Sequence, residues 1–179
     1  NIFIAGKGGK MKKKINRKIE EPVVTAVTFD KNQVKMTILD VPDKPGVAAK
    51  IFSALAKENI NVDMIIQSAA RGRKNDISFT ISYSDLKKAV EVLEKASKEL
   101  NAGGVIYEEN MAKVSIIGVG MKSHPGVAAK MFETLAKHNI NIEMISTSEI
   151  KISCIIRKEM IETAVRALHK AFNLDKKKG

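Results

Sequence analysis

The sequence has one cysteine, Cys154, no tryptophan and only four prolines among its 179 residues. A single cysteine excludes an internal disulfide, so the fold must rest on a packed core, and a reducing, cytoplasmic setting is expected. Aromatic residues make up only 4%. That scarcity argues against a sheet built to stack nucleic-acid bases, which needs exposed aromatics. No apolar run approaches the roughly 20 residues that cross a bilayer, so no membrane partner is expected. The opening NIFIAG is too short and wrongly flanked for a secretory signal. His124, His138 and His169 show no ligand spacing with Cys154, so no metal site is expected. GKGGK (6–10) lacks the spacing of a phosphate-binding loop and is read as a decoy.

What is present is ample apolar material and an uneven charge. Hydrophobic residues reach 44%, enough for one or two small cores. The net charge of +11 is concentrated at the ends: residues 1–20 hold seven Lys or Arg against one acid, and residues 175–179 hold three against one. Only +3 remains between them. The ends therefore read as solvated basic segments, a linker at 1–20 and a tail at 175–179, and no nucleic-acid partner is expected.

The strongest signal is an internal repeat. PGVAAKIFSALAKENINVDMIIQS (45–68) recurs 80 residues later as PGVAAKMFETLAKHNINIEMISTS (125–148), with 16 of 24 positions identical. A repeat of this kind marks a duplicated supersecondary unit, and the boundary between copies is a favoured place for a small ligand. In the first copy VKMTIL (34–39) alternates as a half-buried strand. A short loop and Pro45-Gly46 lead into a helix with Val47, Ile51, Phe52 and Leu55 on one stripe, ending at Asn59. NVDMIIQS and DISFTI form a hairpin across the loop RGRKN. Ser84 is expected to cap a second helix, whose stripe carries Leu86, Ala89, Val90, Leu93 and Leu100. Gly103-Gly104 then lead to a last strand at 105–108, giving βαββαβ.

The second copy follows the same order: KVSIIGV, a loop two residues longer, a helix from about Gly126, NIEMISTS, a tighter turn, KISCIIR and a helix with Ile161, Ala164, Val165, Leu168 and Phe172. Its fourth strand is missing, which leaves an open sheet edge that a folded protein generally covers. The unassigned VVTAVTF (23–29) is expected to fill it. The first copy, 34–108, is then inserted into a second built from 23–30 plus 111–174.

Paired βαββαβ units with PG at the first loop-to-helix junction resemble ACT domains, the amino-acid-sensing modules of biosynthetic enzymes. The strings EEPVVTAVTFDKN, VPDKPGVAAKIF, NINVDMIIQS, GMKSHPGVAAKMFETLAKHNINIEMISTSEIKISC and AVRALHKAF resemble, more narrowly, the regulatory region of the aspartate kinase family over about 20–174. The resemblance implies an α+β fold of two ferredoxin-like units, the first inserted into the second, with antiparallel sheets and helices on one face. It also implies feedback inhibition by lysine, threonine or both, a homodimer through the ACT units, and a catalytic domain or subunit of aspartate kinase as partner. ATP and magnesium would belong to the kinase domain, which has no counterpart in this sequence, so no cofactor and no catalysis are expected of the chain itself. Met11 fits an internal start, as in members that make a separate regulatory subunit. An ACT pair from another amino-acid enzyme is the alternative, with an RNA-binding βαββαβ protein a more distant one.

A free amino acid needs anion donors, a cation acceptor and a selective pocket. Backbone N–H groups of Gly46, Val47 and Ala48 at the helix start suit a carboxylate, and Gly46 admits close approach. Asp43 can take the ammonium group, with Lys44 and Pro45 in the same loop. Asp63 and Gln67, four apart on a strand, share a face and can read ammonium or side-chain polarity, and Asn61 and Val62 begin that strand. By resemblance the facing wall comes from the second unit: Val127, Ala128, the backbone of Asn141 and Ile142, and Ser148.

Overall fold

The computed structural model describes residues 24–119, 121 and 125–176. Six antiparallel strands and four α-helices occur among them: β1 (Val24–Pro42), α1 (Val47–Lys57), β2 (Val62–Gln67), β3 (Lys74–Ile81), α2 (Leu86–Leu100), β4 (Gly104–Gly118), α3 (Val127–Lys137), β5 (Met144–Thr147), β6 (Lys151–Arg157) and α4 (Ile161–Ala171). Each βαββαβ unit is present, and the strands form one sheet in the order β2-β3-β1-β4-β6-β5.

That single sheet differs from the expected pair of sheets. The cause is two long strands: β1 runs 19 residues and β4 runs 15, each passing from one unit into the other. Neither crossover contains the glycine or proline that would break a strand. The chain instead bends through register shifts between Asp30 and Gln33 and between Gln33 and Lys35. Asp30 braces the bend, accepting from the Asn32 N–H and from Gln33 Nε2, both at 2.8 Å. The segments read as separate strands at 105–108 and 113–119 are therefore two halves of β4.

The halves of β1 serve different units. Val34 to Leu39 pair with β3 on one side and with the start of β4 on the other. Val24 to Asp30 pair with the end of β4, from Gly118 to Lys113, and supply the strand that the second copy lacks.

Two cores follow from the repeat. In unit 1, Met36, Ile38, Ile51, Leu55, Phe79 and Leu93 are fully buried beneath α1 and α2. In unit 2, Val114, Ile116, Met131, Leu135, Cys154 and Leu168 occupy the matching places beneath α3 and α4. Phe52 meets Phe79 edge to face, with centroids 5.3 Å apart. Burial pushes the Cys154 thiol up to about 12, so it acts as a core side chain rather than a nucleophile. The α2 start departs from expectation: Ser84 lies inside a 3-10 turn, Tyr83–Asp85, and Asp85 is the capping position, with no side-chain cap bond.

Candidate functional site

Each unit has a helix that begins on a glycine in the left-handed region. Gly46 has φ 90° before α1 and Gly126 has φ 108° before α3, and neither helix carries a side-chain cap. A residue with Cβ would be strained at that φ, and the uncapped first turn leaves N–H donors at the positive end of the helix dipole. A helix start of this kind can hold an anion.

In unit 1, β3 holds the loop before α1. The Asp43 N–H donates to the Arg73 carbonyl at 2.9 Å, and Asn75 Nδ2 donates to Asp43 Oδ1 at 3.3 Å. Asp43, Lys44, Pro45, Gly46 and Ala48 are exposed, whereas Val47 is buried in the core and offers the site only its backbone. Gln67 is exposed at the end of β2, and Asn61 is exposed just before it. Val62 turns inward onto the unit 1 core. Asp63 takes a different course: its carboxylate is paired with Lys113 of β4 rather than with anything in the Asp43 loop.

Unit 2 presents an open cavity of about 480 Å³ at the α3 start, lined by Met121, Pro125, Gly126, Ala128, Thr147, Ser148, Glu149 and Ile152. Val127 is buried, like Val47. The Ser148 N–H donates to the Lys151 carbonyl at 2.8 Å, fixing the β5–β6 hairpin beside the cavity. Asn141 donates from Nδ2 to Glu143 Oε1 at 2.9 Å, and Ile142 packs on the unit 2 core. His124, in the longer loop, lies outside the described residues. Within one chain, no hydrogen bond or ion pair among the described residues joins residues 43–48 to residues 127–148.

The units meet on the side of the sheet away from the helices. β2 and β5 end the strand order at opposite edges, yet they approach each other, with Met64, Met111, Met144 and Ile155 packed between. Crossed ion pairs flank these side chains. Lys113 holds Asp63, and at the repeat-equivalent place Lys35 reaches Glu143 at 3.5 Å. Lys35 also pairs with Glu108 at 3.0 Å, and Glu108 with Arg157 at 3.1 Å. The hydrogen bond from Asn141 holds the Glu143 carboxyl below its ordinary range, with Lys35 and Arg157 helping and burial opposing.

Sequence reading missed Asn75, which it left in the RGRKN loop. The structure places it on β3, buried at 5% exposure. The signal was the period of two: Asn75, Ile77, Phe79 and Ile81 share one face.

Comparison with known proteins adds the following. A family model described as the ACT domain matches residues 40–96 and 114–172. The aspartate kinase of Stutzerimonas stutzeri is 50% identical over 157 residues, covering 88% of this chain and 38% of that protein. The aspartokinase of Corynebacterium glutamicum is 48% identical over 158 residues, 87% of this chain and 38% of that one. The chain thus spans a little over a third of the length of these curated relatives. Among solved structures, one of aspartokinase alpha and beta subunits is similar at TM-score 0.78 and 50% identity, covering 84% of this chain and 99% of that chain. The ligand-free regulatory subunit of aspartate kinase from Thermus thermophilus is similar at TM-score 0.79 and 44% identity, with the same coverages of 84% and 99%.

Proposed function

This chain belongs to the ACT domain family and corresponds to the regulatory region of aspartate kinase, and from that premise we propose that it senses free lysine, threonine or both and restrains a catalytic domain or subunit of that enzyme. The observation that carries the reading is the pair of uncapped helix starts at Gly46 and Gly126, one of which has Asp43 beside it. A ligand's carboxylate docks on the first-turn N–H groups of α1, and its ammonium group docks on Asp43.

Gln67 and a second unit's Val127, Ala128, Asn141, Ile142 and Ser148 then select the side chain. In this reading the two walls come from different chains of a homodimer, because residues 43–48 and 127–148 are not bonded to each other within one chain. Asp63 enters only if the ligand displaces Lys113, which couples occupancy to the contact between units. Such coupling typically amounts to about 1–3 kcal/mol. ATP and magnesium act in the kinase domain and have no role in the site described.

Thermal unfolding with lysine, threonine, their mixture and other amino acids as controls tests the proposal. A ligand at 100 times its dissociation constant adds about 2.7 kcal/mol, a rise of about 5–10 °C for units of this size. A rise with lysine or threonine alone supports the reading and names the effector. A uniform absence of response in this chain and in its complex with the catalytic partner rejects it.

A further inference from the structure

We propose that Asn75 is a positioning residue of the unit 1 ligand site, fixing the Asp43 carboxylate where the ammonium group of an amino acid meets it. The inference rests on the effector reading given above and adds to it a residue and a role.

The position is an unfavourable one for an amide. Asn75 sits opposite Val41 in the β1–β3 ladder and shares a face with Ile77, Phe79 and Ile81, all three of them core residues. Its own side chain is buried, and its Oδ1 has no hydrogen-bond partner among the described residues. A buried acceptor without a donor is costly, and an aliphatic side chain here would avoid that cost. What the amide does instead is donate through Nδ2 to Asp43 Oδ1. Together with the bond from the Asp43 N–H to the Arg73 carbonyl, it ties the loop to β3 through both backbone and side chain. Stability given up at a position whose one bonded partner is a candidate ligand group is the pattern of a site residue.

Unit 2 supplies the control. With Ile77 and Ser78 matched to Ile152 and Ser153, the residue equivalent to Asn75 is Ile150, and the residue equivalent to Asp43 is Ser123. The amide and the carboxylate occur together in one unit, and both are replaced in the other.

Binding of lysine and of threonine to the full chain, measured by calorimetry for wild type, Asn75→Val, Asp43→Ala and the double variant, tests the assignment. Asn75→Val is expected to keep or raise the ligand-free Tm while weakening binding about three- to tenfold, and to cause no further loss once Asp43 is gone. An equal loss in both backgrounds, unchanged affinity, or a variant that unfolds would overturn it, since in none of the three does Asn75 act on binding through Asp43. If neither the wild-type chain nor its complex with the catalytic partner binds either amino acid, the effector reading fails by itself. Amide exchange at residues 43–47 then decides the role of Asn75: faster exchange in Asn75→Val at undiminished Tm upholds the tether, and unchanged exchange removes it.

Discussion

Unit 1 and unit 2 share a backbone plan and most of a helix sequence, yet they differ where polar groups are buried. Gln33, Thr80 and Asn75 are buried where the repeat-equivalent residues are the buried Met111 and Ile155 and the exposed Ile150. Among the described residues, the two buried side-chain oxygens without partners are on Asn75 of unit 1 and on Gln33 at the crossover between the units. Unit 2 invests instead in apolar packing: Met111 and Ile155 join Met64 and Met144 between the units. A duplicated fold can divide its labour in this way. One copy buries Asn75 beside the Asp43 loop at some cost in stability, and the other supplies an apolar surface and an open cavity.

The most severe break in that comparison is removal of residues 23–29. The edge of unit 2 would lose the strand that pairs from Gly118 to Phe29's partner Val114. Amide protection is expected to collapse in β6, α3 and α4 while β3, α1 and α2 stay protected; uniform loss across both units would show that they unfold as one. Next in size is a matched pair of core truncations, Leu55→Ala and Leu135→Ala, at equivalent and fully buried positions. Each is expected to cost about 2–5 kcal/mol in denaturant unfolding. A smaller loss at Leu55 would locate the weaker packing in the unit with the buried polar groups. The smallest effect concerns pH. Glu143 has a lowered folded-state value, so its contribution is present above the unfolded carboxylate range and is lost as pH falls through the folded value. Glu143→Gln should flatten that acid limb of the stability profile; an unchanged limb would remove Glu143 from the contact between units.

Periodicity made the helices and most strands legible. Pro45-Gly46 and Pro125-Gly126 marked helix starts because a glycine there tolerates the positive φ the turn requires. Continuity of β1 and β4 was not legible, since DKNQ and EENM are polar and resemble loops until their exposed face is known. Ser84 resembled a cap because hydroxyls favour that place, but a 3-10 turn displaces the capping position by one residue. In the candidate site, the Asp43 loop could be read locally. The partner of Asp63 could not, because Lys113 lies 50 residues away and is brought near only when the sheet curls.

The shared strand also sets an order of events in time. Val24 pairs with Gly118, 94 residues further along the chain, whereas all of unit 1 lies between them. At synthesis rates of about 5–20 residues per second, the first half of β1 emerges roughly 5–20 seconds before its partner exists. Unit 1 can close during that interval, while Val24 to Phe29 wait as an unpaired, β-prone segment. Slow closure of long-range pairs exposes such segments to aggregation. The insertion that joins the two units in one sheet therefore makes the beginning of β1 the segment most in need of protection on the ribosome.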